Sequence, residues 1–404
     1  MTRTFPTILL TAALAAPAAA QPTPADPVVP TPEATPEATP EPTPEPTPEP
    51  SPAPTGSEPT ASEPAAAAAP PSWADRVTVT GLVDGYVSVP FQGDLRSPSA
   101  LRVFDGGNGS FLLAYAEVAL SIPAGPAGFR LDLGFGPVAD LTNLETTTTG
   151  TPPTTVTGPS EVMKHVQQAY ASAKLPGARA IVIDAGKFVT TAGAEVIEAK
   201  DNWLYGRSIL FGYAIPFTHT GVRLTAAIDD RLSLQAMVTN GWDVGFDAND
   251  AKSFGASALY ADADSGLNVV ATALVGEEAD EVRVLGDLVI GKRVSERLAV
   301  NLNADFGKDG DATWFGAAAM ARLTINPNLN LAARAEHFRD PDGARTGVAD
   351  GVALTEVTVG AGVPVGGGAE FRFEARLDLA DADIFDGGAS STQGTATAAA
   401  LAWF

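Results

Sequence analysis

From Val77 to the C-terminus, apolar residues recur at every second position, and that period restricts what the chain can fold into. Phe371, Phe373, Ala375, Leu377 and Leu379 alternate with Arg372, Glu374, Arg376 and Asp378. An extended strand puts every one of those charges on one face, whereas a helix scatters them around its circumference. The pattern recurs with Phe129, Leu131, Leu133 and Phe135 against Arg130 and Asp132, and with Leu298, Val300, Leu302 and Ala304 against Asn301, Asn303 and Asp305. Val222, Leu224, Ala226 and Ile228 stand opposite Arg223, Thr225 and Asp229, while Val282, Val284, Leu288 and Ile290 leave Arg283 and Asp287 on the other side. Arg334 and Glu336 occupy equivalent alternate places.

A soluble sandwich alternates as well, with its apolar face packed inward. Loop lengths separate the two, because bacterial outer-membrane barrels have short turns at one end and longer loops at the other. Short turns fall at 122–128, 176–180, 229–231, 262–266, 294–297, 326–328 and 364–368. Between them lie mostly longer links at 90–108, 137–161, 188–219, 240–252, 276–281, 306–311, 339–353 and 381–394. Eight links and seven turns join sixteen strands, and the even number puts both termini at the short-turn, periplasmic end. The expected fold is therefore all-β: a transmembrane antiparallel β-barrel of about sixteen strands. No window holds 18 uncharged apolar residues, so the sequence offers no helical span, and a membrane protein of this kind must cross as a closed barrel.

Export is written at the N-terminus. Residues 1–20 run from Arg3 through the apolar stretch Ile8–Ala16 to Ala18-Ala19-Ala20, the order of a cleaved secretory signal, which makes Gln21 the first mature residue. Residues 21–72 hold 18 of the 33 prolines and eight acidic residues without a basic one. Such a segment buries no core; its prolines favour an extended, solvated conformation and its glutamates repel one another. It reads as a semi-rigid periplasmic spacer, with peptidoglycan as a candidate partner, ahead of a barrel domain at 73–404. The chain has no cysteine and so no disulfide framework and no lipoprotein acylation site. Its net charge of −23, of which the domain from 73 onward carries −16, disfavours nucleic acid as a partner.

The link at 188–219 is too apolar for an ordinary surface loop. It carries Phe188, Val196, Ile197, Trp203, Leu204, Tyr205, Ile209, Leu210, Phe211, Tyr213, Ile215 and Phe217, which are costly to leave in water. The stretches Ala185-Gly186-Lys187-Phe188-Val189-Thr190-Thr191-Ala192-Gly193-Ala194-Glu195, Asn202-Trp203-Leu204-Tyr205-Gly206-Arg207-Ser208 and Tyr213-Ala214-Ile215-Pro216-Phe217-Thr218-His219-Thr220-Gly221-Val222-Arg223, followed by Asn240-Gly241-Trp242-Asp243, resemble the OmpL-like β-barrel porin family. The resemblance implies a barrel of sixteen or so strands and a transport role; a homotrimer is expected by analogy with porins. In general porins the third long loop folds into the lumen and narrows it, which would bury the apolar residues of 188–219.

A transverse field in that narrow zone is expected from Glu195, Glu198 and Asp201 against Lys187, Lys200, Arg207 and Arg223. Arg207 and Glu195 can equally serve to pin the loop to the wall. The lumen wall is assigned Arg130, Asp132, Arg283, Asp287, Arg334, Glu336, Arg372, Glu374 and Arg376. His165, His219 and His337 are too scattered for a metal cluster, and no nucleophile motif surrounds Ser208 to make a triad with His219 and Asp201. The acidic segments 243–250 and 381–386 lack the ligand spacing of a calcium loop, and Gly366-Gly367-Gly368 sits in a turn rather than before a helix. No cofactor is implied. The sequence thus points to a diffusion porin for ions and small hydrophilic solutes, contacting outer-membrane lipid, lipopolysaccharide and the barrel-assembly machinery. The alternative is a structural or adhesive barrel that ties membrane to cell wall through its proline-rich arm.

Overall fold

The computed structural model describes residues 76–404, apart from 150–153, 160–162, 178–180, 246–250 and 279–280, and gives no side-chain detail for 144–162. The signal segment 1–20 and the spacer 21–72 lie outside the described residues. The strands are β1 (Thr78–Pro90), β2 (Leu112–Ile122), β3 (Gly128–Phe135), β4 (Leu144–Thr149), β5 (Thr154–Pro159) and β6 (Val166–Leu175). They continue with β7 (Ile181–Val189), β8 (Thr218–Ala227), β9 (Leu232–Thr239), β10 (Ser253–Asp262), β11 (Leu267–Glu278) and β12 (Glu281–Arg293). The last six are β13 (Leu298–Asp309), β14 (Ala312–Asn326), β15 (Leu329–Asp340), β16 (Val352–Pro364), β17 (Ala369–Ala380) and β18 (Thr392–Trp403).

All except β4 and β5 form one closed antiparallel barrel of 16 strands, each paired with its neighbour in sequence. β18 returns to β1 and pairs Leu82 with Trp403. The seam runs to the last residue, where Gly81 N donates to Phe404 O at 3.3 Å and Phe404 N to Gly81 O at 3.1 Å. Closure leaves no open sheet edge, which lets a sheet sit in hydrocarbon.

The two-residue period sorts the side chains as expected. Phe371, Phe373 and Leu377 are exposed on the outer face, while Arg372, Glu374, Arg376 and Asp378 are buried on the inner one. The soluble sandwich is thereby excluded, since its exposed face would be the charged one. Two of the longer links are shorter than the sequence reading gave: β11 and β13 run on past Gly276 and Phe306, so only 279–280 and 310–311 join these strands to their neighbours. The link at 137–161 contains the short helix α1 (Pro137–Thr142) and the β4–β5 hairpin, which a run of threonines with high strand propensity supports. No described helix is long and apolar enough to cross a membrane.

Candidate functional site: the barrel interior and its third long loop

The third long loop, L3 (190–217), contains a 3₁₀ turn at Ala199–Asp201 and the short helix α2 (Ile209–Tyr213). Most of its backbone takes no part in the sheet ladder, and buried backbone groups need partners. The charged inner face of β15–β17 supplies them. Glu336 accepts from Ile209 N at 2.6 Å and Leu210 N at 3.1 Å, covering the open first turn of α2, where Ser208 Oγ also accepts from Phe211 N at 2.9 Å. Glu374 accepts from Tyr205 N and, at 3.0 Å, from Gly206 N. Arg372 donates to the carbonyls of Ala199 at 2.6 Å and of Leu204 and Lys200, both at 3.2 Å, and Arg376 to that of Arg207 at 2.7 Å.

Arg334 is the hub. It is 1 % exposed and donates to Glu195 at 2.7 Å, to Gly206 O at 2.8 Å and to Glu356 at 3.0 Å. Glu195 in turn accepts from Ser208 N at 2.7 Å, so one carboxylate joins both limbs of the loop to the wall. Charge-assisted bonds of this kind are about twice as strong as neutral ones. Gly206 is needed for the close approach, because a Cβ there would stand 2.8 Å from the Asp105 carboxylate and 3.3 Å from that of Glu374.

The apolar side of L3 meets the first long loop, L1 (91–111). Phe104 of L1 packs on Phe211 and Phe217 with ring centroids 5.4 Å apart in both cases, and the Arg207 guanidinium lies 5.0 Å from the Phe104 centroid. Trp314 of β14 donates to Ala214 O at 3.0 Å. The seventh long loop, L7 (341–351), sends Arg345 to Tyr213 O at 2.6 Å and over the rings of Trp242 and Trp314. Asp243 accepts from Phe217 N at 2.6 Å and Thr218 N at 2.8 Å, tying the fourth long loop to the foot of L3. Burial raises the Asp243 carboxyl above its ordinary range, against these two bonds.

The candidate residues divide into two groups. Lys187 is buried and bonded to Asn143, and Arg223 pairs with Asp184 at 2.9 Å while lying over Phe188. Arg207 is buried, donating to Tyr205 O at 2.8 Å and to Ile197 O. With Glu195 these four are engaged by fixed partners. Lys200 and Asp201 pair with each other at 2.6 Å with side chains 25 % and 52 % exposed, and Glu198 beside them is half-buried. Burial first, and then the charges of Asp201 and Asp132, hold the Glu198 carboxyl above the usual range. On the wall, Arg130 pairs with the buried Asp132 at 2.7 Å and keeps 34 % of its side chain exposed. Arg283 pairs with Asp309 near the long-loop end under Trp242. Asp287 stands in register with Asp305 on the neighbouring strand.

The alternation reading passed over Asp84, Glu117 and Glu356, which occupy inward slots of β1, β2 and β16 and are all buried. Asp84 accepts from Tyr205 Oη of L3 at 2.9 Å. No hydrogen bond joins Ser208, His219 and Asp201: Ser208 caps α2, Asp201 pairs with Lys200, and His219 lies between Gly241 O at 3.3 Å and Thr190 Oγ1 at 3.2 Å.

A closed sixteen-stranded sheet with an apolar exterior, a charged interior and long loops at one end is a barrel of the porin type. Residues 76–404 match the family described as "Putative beta-barrel porin-2, OmpL-like", and the chain belongs to it. Among solved structures it is similar to the outer membrane channel DcaP of Acinetobacter baumannii, at 12% identity and TM-score 0.54 over 81% of this chain and 97% of that one. It is also similar to OmpF of Salmonella typhi in complex with daunomycin, at 11% identity and TM-score 0.57 over 81% and 97%. The anion-selective porin from Comamonas acidovorans aligns at 9% identity and TM-score 0.52 over 81% and 99%. A search of curated proteins finds no match.

Proposed function

We propose that the chain is a passive channel of the bacterial outer membrane for ions and small hydrophilic solutes, with L3 folded into the lumen as its constriction. The observation that carries this reading is the set of bonds from the inward charges of β15–β17 to the L3 backbone. Solute passes the side chains that these bonds leave partly exposed, Glu198, Lys200 and Asp201, with Arg130 on the wall. The engaged residues Glu195, Arg207, Lys187 and Arg223 hold that geometry rather than meet solute. In this reading both ends of the barrel strand order and the spacer 21–72 lie on the periplasmic side, and the protein works as a trimer, as porins do. Purified full-length protein in a planar bilayer is expected to give stepwise conductance.

One observation favours the alternative of a plugged, tethering barrel: Phe104 of L1 and Phe211 of L3 are buried in one apolar cluster with Trp314 of β14 and Phe338 of β15. A silent bilayer containing correctly closed barrel would select it.

Glu198 gives the channel reading a pH signature. A carboxyl held above its ordinary range is neutral up to a higher pH and ionises as pH rises through that raised value. The docked conformation of its segment is fully favoured below the ordinary carboxylate range and loses that contribution as pH rises from there through the raised value. Cation preference, read as reversal potential in a salt gradient, is therefore expected to keep growing as pH rises above the ordinary carboxylate range. Glu198→Gln is expected to flatten that rise; a variant whose profile keeps the full wild-type step would remove Glu198 from the passage.

A further inference from the structure

The outer wall carries a feature that a diffusion channel does not need. Outward positions on the strands are apolar or small almost throughout, yet Lys308, His337 and Arg339 all point outward on β13 and β15, the two strands that flank β14, near the long-loop end. Register places them together. Phe306, Phe315 and Arg339 share one cross-strand row; Lys308 lies one step above it beside Thr313, and His337 one step below beside Ala317. From strand spacing the Lys308 and Arg339 Cα atoms are on the order of 12 Å apart, within reach of one headgroup for two long side chains. Neither Lys308 nor Arg339 has an ion pair or side-chain hydrogen bond among the described residues, whereas Asp342 at the same rim is occupied by Thr313 N at 3.0 Å. His337 keeps its imidazole exposed and bonds through Nδ1 to Thr355 Oγ1 at 2.9 Å.

Directly below these cations the wall is hollow. Ala304, Ala317, Ala319 and Ala335 floor a cleft of about 540 Å³ walled by Leu288 and Leu302. Cations at a membrane boundary snorkel to the headgroup level and attract anionic headgroups there. The geometry points to a binding site for a phosphorylated, acylated glycolipid of the outer leaflet, lipopolysaccharide: Lys308 and Arg339 take the headgroup phosphate, His337 lies at the headgroup boundary, and an acyl chain fills the alanine-floored cleft. Charge complementarity selects this occupant, because an uncharged lipid leaves the cations unmet and the outer wall of a second copy, apolar or small almost throughout, offers few carboxylates to pair with them. The assignment rests on the porin reading only for which end of the barrel faces outward.

The test counts bound lipid on the full-length protein in detergent by native mass spectrometry, titrating lipopolysaccharide, its dephosphorylated form and phosphatidylglycerol. Wild type is expected to bind lipopolysaccharide about tenfold more tightly than the Lys308→Ala/Arg339→Ala variant, with dephosphorylated lipid reducing wild type to the variant's level. Conductance serves as the folding control and does not enter the binding readout, so a failed channel reading and a failed lipid site are told apart. Equal retention by wild type and variant would overturn the site as ordinary boundary lipid. Equal affinity for phosphatidylglycerol would overturn the glycolipid assignment. Loss of an oligomer with lipid binding unchanged would reassign the face to a second copy and overturn the proposal.

Discussion

Arg334→Ala is expected to release L3 from the barrel wall while the barrel itself stays closed. The side chain of Arg334 is fully buried, with carboxylates of Glu195 at 2.7 Å, Glu356 at 3.0 Å and Glu336 at 3.9 Å. Removing one partner of a buried ion pair costs about 3–5 kcal/mol, because the other charge stays in place without compensation. Here three carboxylates lose their common cation, and only Glu356 retains another, Arg376 at 3.7 Å. Glu336 and Glu356 sit on strands locked by ladder bonds on both sides, but Glu195 sits on the loop. Detaching the loop is thus the least costly relief, since it lets Glu195 reach water and hydrates the other two. Limited proteolysis should cut the variant within 190–217 and spare the strands, and single-channel traces should become noisy at a larger mean conductance. Arg334→Lys keeps the charge but not the forked donors that reach Glu195, Gly206 O and Glu356 together, so it should restore the anchor only in part. A protease-resistant L3 and a quiet trace in Arg334→Ala would show that the hub does not hold the loop.

The architecture was legible because it follows from a period and from loop lengths, both local properties of the sequence. Phe371 to Leu379 reads as a two-faced strand with no knowledge of its neighbours, and it is one. The even number of strands followed from counting short and long connections. The points that did not follow were the ends of the strands: Gly276 and Phe306 continue β11 and β13 because their neighbours extend the ladder, which is a property of the pair and not of either segment.

The interior was legible only as a face. Alternation says that Arg334 and Glu336 point inward, but not that Arg334 meets Glu195, 139 residues away in sequence, or that Glu336 accepts the first amides of α2. The aromatic run of L3 signalled that the loop had to be covered without naming its cover. Part of it is Phe104, whose own loop reads as ordinary surface, and the pairing appears only when both loops are folded over the same end. The sequence likewise left Arg207 and Glu195 balanced between pinning and lining the pore. The structure gives each fixed partners through two or more hydrogen bonds, while Glu198, Lys200 and Asp201 keep part of their surface open.

Excision of L3 is expected to raise conductance severalfold and to blunt selectivity. The strands flanking the loop end with Val189 opposite Thr218, so their Cα atoms are about 5 Å apart and a short Gly-Ser linker can close them. This barrel already joins β13 to β14 across the two-residue link 310–311, which makes such a closure compatible with its geometry. The nine-residue ladder from Ile181 to Val189 against β8 does not use the loop. Its loss would uncover Arg334, Arg372 and Arg376 together with Glu336, Glu356 and Glu374, and water can solvate both signs once the loop amides are gone. The exposed faces of Phe104, Trp314 and Phe338 would carry the main cost, so a modest fall in stability should accompany the wider pore. Resistance along a pore adds in series and its narrowest stretch dominates, so removing a true constriction changes the current far more than removing any wall charge. With the passage wide and both signs hydrated, reversal potential in a salt gradient should approach zero and lose its dependence on pH, because Glu198 leaves with the loop. A closed barrel whose conductance stays at the wild-type value after this excision would place the narrowest section elsewhere, and a barrel silent both before and after it would favour the tethering role.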